Sequence, residues 1–149
     1  MSIGEFCNRS VVVAERNCSV LDASRLMRQH HVGALVIVVS DAGMSKPVGL
    51  VTDRDLVVEV IAAHLDPAVV LIGDIMAEPL CLVREQEGVF ETMRLMREHG
   101  VRRVPVVDGR GGLQGIIAID DLIAVLADEM NEFARLITHE QVIEFKRRK

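Results

Sequence analysis

The chain has 149 residues, half of them hydrophobic, which is enough to bury a core but leaves no room for a second large domain. Its net charge of −5 and its lack of Trp and Tyr argue against a nucleic-acid-binding protein, which would be basic and offer aromatic rings for stacking. Because no apolar run reaches the length of a membrane span and the first residues do not resemble a signal peptide, we expect a cytoplasmic protein that binds no membrane.

The first half of the chain is repeated in the second half. Ile3-Gly4-Glu5 recurs as Ile72-Gly73-Asp74, and one constant offset maps residues 3–38 onto residues 72–107. After three extra loop residues in the first copy, the match resumes to the end of the repeat. Two similar units in one short chain predict packing around a pseudo-two-fold axis, which creates two related clefts that suit ligands.

Each copy is predicted to begin with a short apolar strand, Val11–Val13 in the first and Leu80–Val83 in the second, followed by a helix. Ser19 or Asn17 can cap the first of these helices, and Gly100 can end the second. One face of the first helix carries residues at helical spacing: Val20, Ala23, Leu26, Met27 and His30.

Two strands joined by a turn follow in each copy, and a second helix closes it. Residues 34–39 are apolar almost without alternation, as in a strand buried on both faces. The turns are predicted at residues 40–43 and 108–112, and the closing helices near Thr52-Asp53 and Asp120-Asp121. The order of elements is therefore β-α-β-β-α in both repeats, at residues 3–64 and 72–128, with a linker at residues 65–71.

The last helix is predicted to outlast its repeat, as an extension with a basic tail over residues 129–149. Apolar side chains at Met130, Phe133, Leu136 and Ile137 continue its stripe to about residue 138. Such a stripe packs either on a partner subunit or back on its own core. The four terminal basic residues are typical of a solvated tail.

The strongest local signal for a ligand site is the run from Gly49 to Leu56, where a strand ends and a helix begins. Free N–H groups at a helix start can receive a phosphate, Asp55 can accept two hydrogen bonds from a ribose diol, and Arg54 can meet a phosphate. The same residues also have a structural interpretation, in which Thr52 caps the helix and Asp55 complements its dipole.

Several motifs stand in one order along both repeats: the β-α-β-β-α units, Asp74-Ile75-Met76, the Gly-x-x-Thr-x-Arg-Asp-Leu run that ends at Leu56, and the run from Gly100 to Asp108. Together they resemble a pair of CBS domains, often called a Bateman module, over residues 3 to about 128. The resemblance implies an α/β (α+β) fold of two tandem repeats and a regulatory role. It also implies an adenosine-containing ligand such as AMP, ADP, ATP or S-adenosylmethionine.

In such modules each cleft takes its ribose-binding turn from one repeat and its base pocket from the other. For the first cleft the resemblance implies Thr52 and Asp55 at the ribose, with Thr52 and Arg54 near the phosphate. The implied base pocket comprises Met76, Leu80, Cys81, Val101, Arg102, Arg103, Val104 and Pro105. Arg102 and Arg103 either supply charge to a phosphate or pair with surface carboxylates.

The second cleft departs from this pattern. It keeps a carboxylate for the ribose at Asp121, but Ala118 stands where the first repeat has Thr52. The facing strand, residues 32–35, offers no arginine. We therefore expect this cleft to be empty or to bind an uncharged adenosine moiety weakly.

Catalysis and metal binding are not expected. The three cysteines, Cys7, Cys18 and Cys81, form no Cys-x-x-Cys pair and have no histidines at metal spacing, so we expect reduced thiols. Adjacent His30 and His31 point in different directions on a helix. No Ser or Cys lies in a recognisable nucleophile turn.

Two functions remain open on the sequence. The first is a non-catalytic adenine-nucleotide sensor that acts as a homodimer. The second is a protein-interaction or dimerisation module with degenerate clefts, which docks to an unidentified protein partner. The Thr52/Asp55 turn favours the first, and the surplus apolar helix favours the second.

Overall fold

The computed structural model describes residues 1–148 and confirms two mixed α/β repeats, each built on a three-stranded sheet. The first repeat contains α1 (Ile3–Phe6), β1 (Val13–Ala14), α2 (Val20–His30), β2 (Ala34–Asp41), β3 (Met44–Thr52) and α3 (Asp53–Asp55), which continues as a π-helix over Leu56–Ile61. The second contains α4 (Ile72–Ile75), β4 (Val83–Arg84), α5 (Val89–His99), β5 (Arg103–Val107), β6 (Leu113–Ala118) and α6 (Ile119–Arg147).

The two sheets have the same topology and the same irregularity. In each, the first strand runs parallel to the second, and the second runs antiparallel to the third. The register shifts between Ile37 and Val38 in one sheet and between Val106 and Val107 in the other, which are equivalent positions under the repeat offset. The pseudo-two-fold symmetry predicted from the sequence therefore extends to individual residues.

Local details differ from the sequence predictions in places. Strands β1 and β4 begin later than predicted, because only two residues of each pair with the neighbouring strand. The first hairpin turn is tighter than expected: only Ala42 and Gly43, both at positive φ, separate the strands, as in a two-residue turn. His30 is exposed rather than part of the apolar face of α2.

The short helices α1 and α4 are exchanged between the repeats. Ile3 is fully buried in the core of the second repeat, with Val83, Val89 and Leu122, although it precedes the first repeat in sequence. Ile72 is likewise fully buried in the core of the first repeat. Each repeat therefore completes its hydrophobic core with a helix from the other.

Matching hydrogen bonds hold the exchanged helices. The N–H of Gly4 donates to the carbonyl of Glu85 at 2.9 Å, and the N–H of Gly73 donates to the carbonyl of Arg16 at 3.0 Å. A Cβ on Gly73 would lie 2.9 Å from that Arg16 oxygen, and one on Gly4 would lie 3.1 Å from the Glu85 oxygen. The glycine after each repeated isoleucine thus allows the two backbones to approach.

The sheets themselves pack against each other through a third apolar cluster. Val36, Val38 and Leu50 are its buried members, and Leu113 and Ile116 of β6 pack against them. The chain after α1 also pairs with β6 through Asn8 and Ile116, as the chain after α4 pairs with β3. The two repeats consequently form one packed body.

Helix α6 continues as one helix to Arg147, beyond the end near residue 138 predicted for its stripe. Every described residue from Ala127 onward is exposed, including Met130 at 72% and Phe133 at 67%. The interpretation that the extension folds back on its own core is therefore wrong. Lys149, the last residue of the predicted basic tail, lies outside the described residues.

The exchange predicts that α4 stabilises the repeat to which it does not belong in sequence. Ile72→Ala should lower the free energy of unfolding by about 2–5 kcal/mol, because it leaves a cavity in the first core. Unfolding should remain a single transition, since both repeats share their cores. Chemical denaturation followed by circular dichroism measures both quantities.

The matched control for Ile72→Ala is Val69→Ala, since Val69 is 72% exposed in the neighbouring segment. The control should change stability by no more than about 0.5 kcal/mol. Equal effects of the two substitutions would contradict the exchanged packing.

Candidate functional site

Both repeats place a carboxylate at the start of the closing helix, in the same geometry. In the first repeat, Asp55 Oδ2 accepts from the N–H of Thr52 at 2.8 Å, and Thr52 Oγ1 accepts from the N–H of Asp55 at 3.3 Å. In the second, Asp121 Oδ2 accepts from the N–H of Ala118 at 2.8 Å. The capping interpretation of Thr52 and Asp55 is thus confirmed.

The second turn lacks half of this cap. Ala118 has no side-chain oxygen, so the N–H of Asp121 donates to no side chain at the start of α6. The 29-residue helix α6 therefore begins with a free N–H donor at Asp121, where the equivalent N–H of Asp55 in α3 is capped. This donor and the partial positive charge of the helix end favour an anion at this position.

A cavity of about 170 Å³ lies beside the Asp121 turn. Its walls come from both repeats and from the segment that follows α1. The lining residues are Asn8, Ser10, Val11, Val12, Val32, Gly33, Ala34, Arg103, Ile116, Ala118 and Asp121. The cleft predicted at Asp121 is therefore present and is walled by residues 32–34, as expected.

The facing strand contributes no arginine, as expected, but Arg103 of β5 lines the cleft and supplies a cation that was assigned to the first cleft from the sequence. Arg103 begins β5 and is paired in register with Ala118, which holds it next to the Asp121 turn. Within residues 1–148 it forms no ion pair, although Asp121 lines the same cavity. A half-buried guanidinium and a half-buried carboxylate thus face one small space without neutralising each other.

The repeat offset relates this cavity to the first cleft predicted from the sequence. It maps Ala118 and Asp121 onto Thr52 and Asp55. It likewise maps Val11, Val12 and residues 32–34 onto Leu80, Cys81 and residues 101–103. Most of the residues implied for the first cleft are therefore counterparts of residues that line the second one; Arg54, Met76, Val104 and Pro105 are not.

Several residues implied for the first cleft are buried in the protein core or exposed at its surface, and do not line a cavity. Met76 is 7% exposed and packs in the first core, and Val104 is fully buried in the second core. Pro105 is buried within β5, whereas Arg54 is exposed. The side chains of Met76 and Val104 are therefore structural, because their apolar surface is already used within the protein.

Arg102 pairs with a surface carboxylate, which is the second of the two roles considered for it from the sequence. Its Nη2 lies 3.8 Å from Asp120 Oδ1, and both side chains are largely exposed. Such a pair adds little to stability. Val101 lines the same outer surface between α5 and α6, while Leu80 packs against the inter-sheet cluster.

Sequence reasoning missed Asn8 and Ser10, two polar residues that line the cavity. Residues Val11 and Val12 beside them are the counterparts of Leu80 and Cys81. Applying the repeat offset to the implied base pocket would have identified this segment as a wall of the second cleft.

The cysteines are free thiols, and each is half-buried. Burial raises the pKa of the Cys81 thiol, with a smaller contribution from the charge of Glu87, so little thiolate is present at neutral pH. Within residues 1–148, no group of three or more His, Cys, Asp or Glu side chains is placed to hold a metal ion. None of the helices described for this chain is both long enough and apolar enough to span a bilayer.

Known proteins share this architecture. The family model of the CBS domain matches residues 3–62 and 72–128. A protein of Methanopyrus kandleri is 34% identical over 140 residues, which cover 89% of this chain and 70% of that protein. Hypoxic response protein 1 of Mycobacterium tuberculosis is 32% identical over 118 residues, which cover 79% of this chain and 80% of that protein.

Solved structures agree with the family match. A crystal structure of Hypoxic Response Protein I with two coordinated zinc ions superposes with a TM-score of 0.71 at 31% identity, covering 83% of this chain and 98% of that one. The match of both repeats to one family model, together with this superposition, identifies the architecture. The chain belongs to the CBS domain family and is a tandem pair of CBS domains.

Proposed function

We propose that this CBS pair is a non-catalytic, cytoplasmic regulatory module that binds an adenosine-containing ligand, namely AMP, ADP, ATP or S-adenosylmethionine. The site is the cavity at Asp121, and the module acts as a homodimer. The observation that carries the proposal is the coexistence of Arg103 and Asp121 in one cavity without an ion pair between them.

The Asp121 turn suits a ribose. One carboxylate oxygen, Oδ2, is occupied by the N–H of Ala118, which fixes the orientation of the carboxyl group. The other oxygen has no hydrogen bond within residues 1–148 and retains its lone pairs for a hydroxyl donor. Hydrogen bonds from a ribose diol to a carboxylate are charge-assisted and therefore stronger than neutral ones.

Arg103 and the start of α6 suit a phosphate. The guanidinium of Arg103 offers donors in a planar fork that matches phosphate oxygens. The uncapped N–H of Asp121 adds a backbone donor on the same side of the turn. Because the second turn has Ala118 in place of Thr52, the N–H of Asp121 remains available to a ligand. In the first turn the equivalent N–H of Asp55 donates to Thr52.

The opposite wall suits an adenine base. Val11, Val12 and Ile116 provide apolar surface, and Asn8 and Ser10 provide hydrogen-bonding groups at its edge. This combination of apolar walls and a few polar groups is typical of small-molecule sites.

The size of the cavity indicates how binding is communicated. Its volume of about 170 Å³ is below the 300 Å³ or so at which ligand pockets begin. We therefore expect the ligand to widen the cleft by moving one repeat against the other. Because both repeats line the cavity, occupancy would shift their relative position and thereby a partner-binding surface.

The alternative function, a protein-interaction or dimerisation module, draws support from the exposed apolar residues of the α6 extension. Its premise of degenerate clefts is less well supported, since the Asp121 cavity retains both a cation and a carboxylate. We keep it as the second candidate, in which the clefts bind no nucleotide.

Arg103→Ala tests the phosphate contact. We expect it to weaken AMP binding by about 10- to 100-fold, the equivalent of one or two charge-assisted hydrogen bonds, and to change adenosine affinity far less. Isothermal titration calorimetry with both compounds measures the difference. Arg110→Ala is the control, because Arg110 lies in the hairpin loop at the other end of β5 and β6. Equal losses for adenosine and AMP would show that Arg103 only maintains the shape of the cleft.

Asp121→Ala and Asp55→Ala distinguish the two clefts. Asp121→Ala should weaken AMP binding about 10- to 100-fold, whereas Asp55→Ala should leave binding at the Asp121 cavity unchanged. Asp121→Asn keeps an acceptor for the N–H of Ala118 and so separates loss of the helix cap from loss of the ribose contact. If Asp55→Ala alone abolished binding, the ligand would occupy the first cleft and our assignment of the Asp121 cavity would be wrong.

A further inference from the structure

The exposed face of α6 carries a continuous apolar stripe, which we call the α6 stripe. Its members follow one another at alternating spacings of four and three residues: Ile119, Ile123, Leu126, Met130, Phe133 and Ile137. Ile123 is 58% exposed, Phe133 is 67% exposed and Ile137 is 55% exposed. This spacing is that of the buried seam of a two-stranded coiled coil.

The first part of the α6 stripe lies in a groove between α5 and α6. The groove has a volume of about 690 Å³ and an apolar floor that includes Phe90, Met93, Ile119 and Ile123. Three arginines, Arg94, Arg97 and Arg102, stand around it. Such a groove suits an amphipathic helix with acidic flanks.

We propose that the occupant of this groove is the α6 extension of a second copy of the chain. The two helices pack antiparallel, and the two-fold axis between them lies at the level of position 128, midway between Leu126 and Met130. The proposal rests on the homodimer proposed above and specifies its geometry. The residues of the stripe are spaced symmetrically on either side of position 128. Antiparallel pairing therefore brings Leu126 opposite Met130 of the second copy. The same pairing brings Ile123 opposite Phe133.

Charge selects the antiparallel orientation. Glu129 and Glu140 flank the stripe on the extension, at helical spacings that place them beside Phe133 and Ile137. Antiparallel packing brings these carboxylates of the second copy toward the arginine-lined groove. Parallel packing would instead place each glutamate near its own counterpart and away from the groove arginines, of which Arg94 and Arg102 already pair with Glu91 and Asp120.

The other flank of the stripe consists of small residues. Ala127 and Ala134 lie beside Met130 and Phe133 on the side away from the glutamates. Small side chains permit a short distance between two helix axes. The stripe from Ile119 to Ile137 is also about 28 Å long at 1.5 Å per residue, so a second helix can cover both the groove and the extension.

The first experiment compares Phe133→Asp with His139→Asp by sedimentation velocity at low micromolar concentration. His139 lies on the opposite side of the helix from the stripe and is exposed, which makes it the matched control. We expect the wild type and His139→Asp to be dimers and Phe133→Asp to be a monomer that still binds AMP as the wild type does. A dimeric Phe133→Asp beside a dimeric wild type would overturn the α6 interface but leave the homodimer intact, while a monomeric wild type would overturn both.

The second experiment tests the orientation. Ile123→Cys and Phe133→Cys proteins are mixed in equal amounts, treated with a short bismaleimide and separated by intact mass, with the wild type as the control for its native thiols. We expect the mixed Ile123→Cys/Phe133→Cys species to exceed either self-linked species at least about 5-fold. This follows because only antiparallel pairing faces these positions across the seam. Self-linked Phe133→Cys as the main product would establish parallel packing and overturn the proposal.

Discussion

The reciprocal exchange of α1 and α4 is the constraint on which the rest of this structure depends. Ile3 and Ile72 each fill the core of the opposite repeat, so neither repeat has a complete hydrophobic interior without the other. The glycines that follow them allow backbone contacts that bulkier residues would block. The exchange therefore fixes the pseudo-two-fold axis and turns two small units into one cooperative body.

The same exchange creates the candidate site. Once α1 has crossed to the second repeat, the chain pairs with β6 at Asn8 and returns along the cavity to its own sheet. The cavity consequently has walls from both repeats, which couples its occupancy to their relative position. Small differences between the repeats then make the clefts unequal, since Ala118 replaces Thr52 and Arg103 stands where the first repeat has Ala34.

Much of this arrangement could be predicted from the sequence, because repeat matching, apolar periodicity and turn residues are local signals. The start of α2, the end of α5, the buried strand β2 and the cap at Thr52 and Asp55 all follow from such signals. The exchange could not be predicted, since nothing in Ile3 or Ile72 shows which core it enters. Arg103 was assigned to the first cleft but lines the Asp121 cavity, because the sequence pattern of one strand cannot say which cleft a side chain enters. Thr92 was missed as a core residue: it is fully buried, and its hydroxyl donates to the carbonyl of Gly88 at 2.9 Å.

The central claim is that the Asp121 cavity of this CBS pair is a working adenosine-ligand site. A thermal-shift screen of the purified protein against AMP, ADP, ATP, S-adenosylmethionine and NAD tests it most directly. A ligand of the folded protein present at 100 times its dissociation constant adds about 2.7 kcal/mol of stability. The account predicts a clear, saturable rise in melting temperature for at least one adenosine compound and none for a matched guanosine compound. No shift with any adenosine compound at millimolar concentration would contradict it and would favour the interaction module instead.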